Sequence, residues 1–146
     1  MIMEQHKFLN GDFKTFTLIG MSGVGKSHTA AILKKNSNFY HFSVDYLIGH
    51  YYLADQIPDH QDVTKEDITP ITSYLGLLGD PDKGGRSYKQ YRRRQRLYHD
   101  AEVLASNALG NFINIAKQQG LPGLICDTAG SFCELEYPEL PEILAE

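Results

Sequence analysis

The sequence predicts an α/β fold in three layers, in which helices cover both faces of a small parallel sheet. Short runs rich in apolar or aromatic residues, at 13–19, 39–44 and 123–127, are typical of buried strands. Helical patterns at about 26–36 and 87–119 separate these runs. Strands that alternate with helices at this spacing are usually parallel and joined by right-handed crossovers.

A glycine-rich segment, GMSGVGKS at 20–27, follows the first strand and opens the first helix. It fits the phosphate-binding pattern G-x-x-x-x-G-K-[ST] at every fixed position. Glycines let backbone N–H groups surround a polyphosphate, Lys26 supplies a cation for the β- and γ-phosphates, and the Ser27 hydroxyl can ligate Mg²⁺. The alternative is a glycine-rich surface turn. The predicted nucleotide-binding residues are Gly20, Met21, Ser22, Gly23, Val24, Gly25, Lys26, Ser27 and His28.

The composition limits the class of protein. The chain has 146 residues, of which 42% are hydrophobic and 22% charged, so we expect a single globular domain with a core at 13–134 and an acidic, proline-containing tail at 135–146. The net charge of -4 argues against a general nucleic-acid binder. The two cysteines lack a zinc-binding spacing, and we find no pattern of a signal peptide or a membrane span. We therefore expect a cytoplasmic protein.

The second strand, 39–44, ends on Asp45. Ligands of open α/β sheets bind beyond the carboxyl ends of the strands, so Asp45 is expected beside the glycine-rich segment. There it can bind Mg²⁺ through water or act as a base on an acceptor hydroxyl. The alternative is that Asp45 caps a helix at 46–54.

Three less regular stretches follow. The polar, acidic stretch 55–69 is predicted to be a solvated connection, and 71–78 to be a short element. The glycine-rich loop 79–85 has two possible roles, as a mobile cover over a substrate or as a passive connection.

The longest helix is predicted to start at Ser87, because Ser87 and Gln90 fit the capping box, and to end near residue 119. Gly110 marks a weak point and a possible bend. One apolar stripe is expected to pack on the sheet, made of Leu97, Ala101, Leu104, Ala108, Phe112 and Ile115.

An arginine-rich stretch, RRRQR at 92–96, lies near the start of this helix and thus near the carboxyl edge of the sheet. Arg93 and Arg94 extend the predicted apolar stripe and are expected to point toward the site. Guanidinium groups bind phosphate or carboxylate in bidentate fashion, so these two can hold an anionic acceptor or the transferred phosphoryl group. The alternative is a solvated basic patch.

The third strand, 123–127, is apolar and ends on Asp127. A carboxylate at the end of the strand beside a phosphate loop commonly holds Mg²⁺ through a water shared with the loop hydroxyl. We therefore predict Ser27 and Asp127 as metal ligands. Thr128, Gly130 and Ser131 follow Asp127 and can place further hydroxyl or N–H groups near the γ-phosphate. No further strand is predicted after residue 134, so we expect an incomplete, N-terminal part of a larger fold.

The order of these elements resembles the shikimate kinase and nucleoside monophosphate kinase branch of P-loop proteins. Segments 42–46, 72–85, 91–102 and 126–131 are similar to bacterial proteins known only as ATPases or kinase-like ATPases. The resemblance implies ATP with Mg²⁺, Lys26 on the phosphates, Ser27 and Asp127 at the metal, and Asp45 near the acceptor. The arginine-bearing lid and the glycine cluster of shikimate kinases are not matched, so shikimate is not supported as the acceptor.

The leading hypothesis is a small-molecule kinase that uses Mg²⁺-ATP, with Lys26, Asp45, Arg93 and Arg94 as catalytic residues and a small anionic acceptor. The alternative is an ATPase or nucleotide-sensing module without such an acceptor, whose loop at 79–86 responds to nucleotide. A GTPase is disfavoured because the guanine signature Asn-Lys-x-Asp is absent from the sequence. Nucleic acid and membranes are not expected partners.

Overall fold

The computed structural model describes residues 11–53 and 74–135. They contain a parallel sheet of three strands, β1 (Lys14–Leu18), β2 (Tyr40–Ser43) and β3 (Gly123–Asp127), in the spatial order β1-β3-β2. The middle strand is therefore the last of the three in the chain, and all five of its residues are buried. The predicted α/β class and parallel pairing are confirmed.

The register brings the carboxyl ends of the strands together at one edge of the sheet. Leu18 at the end of β1 and Ser43 at the end of β2 both lie opposite Asp127 at the end of β3. The segments that follow these strands therefore leave the sheet side by side.

Helices lie in both crossovers of the sheet. Helix α1 (Lys26–Ser37) connects β1 to β2, whereas α2 (Val44–Leu47), α3 (Tyr88–Asn107) and α4 (Leu109–Gln118) lie between β2 and β3. The two crossovers step across the sheet in opposite directions, so right-handed connections place their helices on opposite faces.

The side chains of β3 alternate between the two faces of the sheet. Leu124 and Cys126 belong to the main apolar core, together with Phe42 of β2 and with Leu109 of α4. Ile125 is also fully buried but does not belong to that core cluster. The main core thus lies between the sheet and the α3–α4 pair.

Helix α2 starts earlier than predicted, and its cap is Ser43 rather than Asp45. The Ser43 side chain accepts a hydrogen bond from the backbone N–H of Tyr46 at 3.3 Å. The predicted role of Asp45 as the cap is therefore wrong, because the residue two positions earlier is extended and performs it. The rest of the predicted helix is a π-helical turn, Ile48–Tyr52, a form that is frequent at functional sites.

The predicted helix at 87–119 is two helices. The capping box at its start is confirmed, since Ser87 and Gln90 bond each other's backbone N–H groups. The break falls at Ala108, two residues before Gly110, and α4 begins at the next residue. The predicted weak point is thus close to the observed break.

The buried face of these helices also differs from the predicted stripe. Leu104 is 53% exposed and Ile115 is 37% exposed, so these two members of the predicted stripe face away from the core. Ala101 belongs to the main core, and Leu97, Ala108 and Phe112 pack against it, so these four members of the predicted stripe agree with the structure. The buried residues of α3 and α4 are Tyr98, Ala101, Glu102, Ala105, Ser106, Leu109, Ile113 and Ala116.

The loop at 79–85 is held by its own backbone. The Gly79 N–H donates to the Arg86 carbonyl, the Arg86 N–H donates to the Leu77 carbonyl, and one 3-10 turn spans Pro81–Lys83. Its role as a substrate cover stays a prediction. The connection at 55–69 and the tail after residue 135 lie outside the described residues, as does the beginning of the element predicted at 71–78. Across the two described ranges, no helix has the length and apolar character needed to cross a membrane.

Candidate functional site

The segment that joins β1 to α1, residues 20–27, curves at the carboxyl edge of the sheet. Gly23 and Gly25 have φ angles of 82° and 94°, which side chains with a Cβ rarely adopt. A Cβ placed at either position meets nothing within 4 Å, so the backbone angles and not crowding require glycine there. The space beside these glycines is therefore open to a ligand.

The lysine of this segment folds back over it. Lys26 Nζ donates to the Gly20 carbonyl at 2.7 Å and to the Met21 carbonyl at 3.1 Å. Its ammonium group thus lies against the backbone of the loop, as predicted for a cation that serves a ligand bound there. The other predicted residues of this segment, Ser27 and His28, are exposed in the first turn of α1.

The N-terminus of α1 lacks a side-chain cap. Gly25 occupies the cap position with a left-handed backbone, and it offers no side-chain acceptor to the first N–H groups of the helix. The first turn contains no acidic residue either. These N–H groups and the positive end of the helix dipole are therefore available to an anion held by the loop.

Asp127 ends the middle strand and is 3% exposed. Its Oδ2 lies 3.7 Å from Nε2 of His41, a residue of the neighbouring strand. Its Oδ1 is buried and has no hydrogen-bond partner among the described residues. A buried carboxylate oxygen without a partner is costly unless a cation or a donor completes it, so this atom marks a place for a ligand.

Asp45 lies in the first turn of α2 and accepts a hydrogen bond from the Tyr98 hydroxyl at 3.3 Å. Burial raises the pKa of its carboxyl group above the usual value. The Tyr98 hydrogen bond lowers this pKa, the charge of Asp127 raises it and the charge of Lys26 lowers it. Asp45, Asp127 and Lys26 are thus close enough to act on one another, as the sequence predicts.

The segment that follows β3 contacts both the end of β1 and the glycine-rich segment 20–27. Thr128 donates from its hydroxyl to the Leu18 carbonyl at 2.8 Å. Gly130 packs on the loop so closely that an added Cβ would lie 2.7 Å from the backbone nitrogen of Ser22. The predicted proximity of 128–131 to the loop is therefore supported by Gly130, whereas the Thr128 hydroxyl is engaged by backbone.

A second buried carboxylate lies next to Asp45. Glu102 of α3 is 2% exposed, and its Oε2 accepts a hydrogen bond of 2.6 Å from the Ser131 hydroxyl. Burial raises the pKa of Glu102; the bond from Ser131 lowers it, and the charge of Asp45 raises it further. Tyr98, Glu102 and Ser131 also line a cavity of about 440 Å³.

The two arginines predicted to face the site behave differently from one another. Arg94 is half-buried, donates to the Tyr74 backbone carbonyl, and places its guanidinium carbon 4.9 Å from the centre of the Tyr74 ring. Arg93 is exposed. The cavity beside Glu102 is instead lined by Arg92 and Arg96, because the buried face of α3 is rotated from the predicted one.

Three residues of the site were not singled out by the sequence: His41, Tyr98 and Glu102. A signal was available for two of them. Tyr98 and Glu102 lie four residues apart, on the same face of α3 as Ala101 and Ala105, so their helical spacing could have indicated them. The roles of His41 and Ser131 depend on strand order and on a contact across 29 residues of chain, which local patterns do not encode.

The donor set suits Mg²⁺ held together with a polyphosphate. Within residues 11–53 and 74–135, no group of three or more His, Cys, Asp or Glu side chains is arranged to hold a metal ion alone. Mg²⁺ usually takes about one or two carboxylates and completes its shell with water and substrate phosphates. The unpartnered oxygen of Asp127, at the strand end beside the loop, fits that kind of site.

We compared the chain with known proteins in three ways. The scan against family models, the search of curated proteins and the search of solved structures each returned no match.

Proposed function

We propose that the protein is a P-loop nucleotide-binding enzyme, a small-molecule kinase of the shikimate kinase-like type that uses Mg²⁺-ATP. The observation that carries the proposal is the juxtaposition of the glycine loop and uncapped α1 with Asp127, whose buried Oδ1 lacks a partner. A phosphate loop followed by a helix N-terminus, beside a strand that ends in a carboxylate, is the usual arrangement for this chemistry.

The nucleotide part of the proposal assigns roles to the residues of the loop. Backbone N–H groups of 20–27 and of the first turn of α1 bind the phosphates, and Lys26 exchanges its bonds with Gly20 and Met21 for phosphate oxygens. Asp127 and the Ser27 hydroxyl hold Mg²⁺, with His41 as a neighbour of the Asp127 carboxylate. When bound, Mg²⁺ neutralises phosphate charge and orients the leaving group.

Asp45 is the base in this proposal. The hydroxyl oxygen of the acceptor forms a bond to the γ-phosphorus while the bond from that phosphorus to the β–γ bridging oxygen breaks. ADP leaves with the electron pair of the broken bond, and the hydroxyl proton passes to the Asp45 carboxylate. A raised pKa brings Asp45 closer to the working pH, which favours its use as a proton acceptor.

The first experiment is a thermal shift titration of wild type with Mg²⁺-ATP and Mg²⁺-GTP, because a ligand that binds the native state raises the apparent stability. We expect a shift with ATP that is lost in Lys26→Ala. Lys35→Ala, a lysine in the last turn of the same helix, is the matched control and should keep the shift. The absence of a shift with both nucleotides in wild type contradicts the proposal.

A second measurement separates the kinase from the alternative ATPase or nucleotide sensor. The release of ADP is followed with and without candidate acceptors, and the phosphorylated product is detected by ³¹P NMR. A kinase forms a phosphorylated acceptor, whereas a sensor hydrolyses ATP slowly and changes the protease sensitivity of 79–86 with nucleotide. A cavity lined by Tyr98, which bonds Asp45, supports the kinase.

A further inference from the structure

The cavity of about 440 Å³ lies along one face of α3 and against the segment that follows β3. Its volume is within the range of sites that bind small molecules. It is connected to the proposed catalytic edge in two places. Tyr98 lines it and bonds Asp45, and Ser131 lines it directly after Gly130, which packs on the loop. A molecule in this cavity therefore contacts Tyr98, the residue that bonds the proposed base.

The positively and negatively charged residues that line the cavity lie at different positions along α3. Arg92 and Arg96 lie toward the start of α3, whereas Glu102 lies six residues beyond Arg96. At a rise of ~1.5 Å per residue, Glu102 is roughly 9 Å from Arg96 and roughly 15 Å from Arg92 along the helix axis. The arginine side chains are long and flexible, so their guanidinium groups can close much of this span.

The anionic end of the cavity lacks a donor. Ser131 occupies Oε2 of Glu102, but Oε1 is buried without a hydrogen-bond partner among the residues the structure describes. Asp45 and Glu134 add negative charge at this end and raise the Glu102 pKa, whereas the Ser131 hydrogen bond and the charge of His99 lower it. A cationic hydrogen-bond donor would satisfy Oε1 and the charge together.

We propose that this cavity is the acceptor site and that the acceptor is a small hydroxylated zwitterion. Its anionic group binds Arg92 and Arg96, its ammonium group donates to Glu102 Oε1, and its hydroxyl lies at the Tyr98 side of the cavity, toward Asp45. Glu102 is thus the residue that selects a zwitterion over a simple anion. The transfer step rests on the proposed kinase function, whereas the binding of the zwitterion does not require it.

The test uses three classes of probe, measured by calorimetric titration without nucleotide. Serine and homoserine are the zwitterions. β-Hydroxypropionate and γ-hydroxybutyrate lack the ammonium group, and ethanolamine and propanolamine lack the carboxylate. We expect at least one zwitterion to bind about tenfold tighter than both of its analogues, and Glu102→Gln to reduce this preference to about threefold or less. Binding of the anions as tightly as the zwitterions, or no binding by any probe, overturns the inference.

Two further variants test the cationic end. Arg96→Gln should weaken the zwitterions and the anions together while it leaves the amino alcohols unchanged. Lys89→Gln removes one positive charge from an exposed position of the same helix and is the matched control, expected to bind like wild type. Equal effects of Arg96→Gln and Lys89→Gln would contradict a specific anion site.

The Mg²⁺-ATP thermal shift, run on the same preparations, separates the two proposals and also shows that each variant is folded. A nucleotide shift without zwitterion binding overturns the acceptor inference alone. Zwitterion binding without a nucleotide shift overturns the kinase proposal and leaves the cavity as a binding site.

Discussion

The hydroxyl of Tyr98 donates to Oδ1 of Asp45 at 3.3 Å, across 53 residues of chain. This bond joins the first turn of α2 to the middle of α3, and it opposes the burial that raises the Asp45 pKa. The Tyr98 ring also approaches Tyr74, at 6.4 Å between ring centres, and Tyr74 in turn contacts Arg94. Asp45 is thus linked through Tyr98 and Tyr74 to one of the two predicted arginines, Arg94.

Tyr98→Phe should shift the protonation of Asp45. The hydrogen bond from Tyr98 lowers the Asp45 pKa, so its loss lets burial raise that pKa further. If Asp45 is the base, the acidic limb of the pH dependence of kcat/KM moves to higher pH, and activity at low pH falls more than at high pH. The carboxyl ¹³C chemical shift of Asp45, followed against pH, reads the same change without turnover. An unchanged titration in the variant contradicts this role of Tyr98.

Glu102→Gln should stabilise the protein at neutral and alkaline pH. Burial raises the pKa of Glu102 in the folded state above its value of 4.5, so between the unfolded and the folded pKa the folded state binds more protons than the unfolded state. Its stability therefore falls as pH rises from the unfolded pKa through the folded one, and glutamine removes that loss. Urea unfolding of wild type and Glu102→Gln from pH 4 to pH 8 measures this pH-dependent difference in stability.

The control for Glu102→Gln is Asp100→Asn, which removes one carboxylate from an exposed position of the same helix. We expect the difference in stability between wild type and Glu102→Gln to grow with pH, while Asp100→Asn keeps the wild-type pH dependence. A Glu102→Gln variant that loses stability increasingly toward high pH would contradict the prediction.

Gly130→Ala should disturb the conformation of the glycine-rich segment 20–27 and leave the helices unchanged. The added Cβ would lie 2.7 Å from the Ser22 nitrogen and 2.9 Å from the Ser22 Cβ, so the loop must move. We expect a loss of about 1–2 kcal/mol in the free energy of unfolding and a smaller Mg²⁺-ATP thermal shift. Gly110→Ala meets nothing within 4 Å and is in a helix, so it should stabilise the protein by about 0.5–1 kcal/mol and keep the shift. Similar behaviour of the two variants would rule out a specific contact at Gly130.

Arg94→Ala should reduce stability and leave the binding of zwitterions unchanged. Its guanidinium lies against the Tyr74 ring and donates to the Tyr74 carbonyl, so we expect a loss of about 1–2 kcal/mol by urea unfolding. Arg93 is exposed, and Arg93→Ala should change stability by less than about 0.5 kcal/mol. A loss of binding in the titrations with Arg94→Ala would instead support the role in acceptor binding that the sequence predicts.

Local patterns predicted much of the fold. The β3 bounds, the capping box at Ser87 and the weak point near Gly110 follow from a few neighbouring residues each, and all three agree with the structure. The cap at Asp45 was wrong because Ser43 and Asp45 are both good caps, and the choice depends on where the extended chain ends.

The position of the arginines was harder to predict. It depends on the rotation of α3 about its axis, which sets the face of the helix that packs. The predicted stripe includes Leu104 and Ile115, which are exposed in the structure. The contacts of Asp127 with His41 and of Glu102 with Ser131 depend on strand order and on long-range contacts, so no local pattern could have supplied these contacts.

The central place of β3 also determines how this chain can fold. Among the residues that the structure describes, β1 and β2 pair only with β3, so within this part of the chain neither has a neighbouring strand until residues 123–127 arrive. The Thr128 bond to Leu18 closes a loop across 110 residues. Contacts of such high sequence separation slow folding, because the entropy of closing the loop is lost before the sheet forms. During synthesis on the ribosome, the glycine loop therefore has no folded sheet beneath it until nearly the whole described chain has emerged.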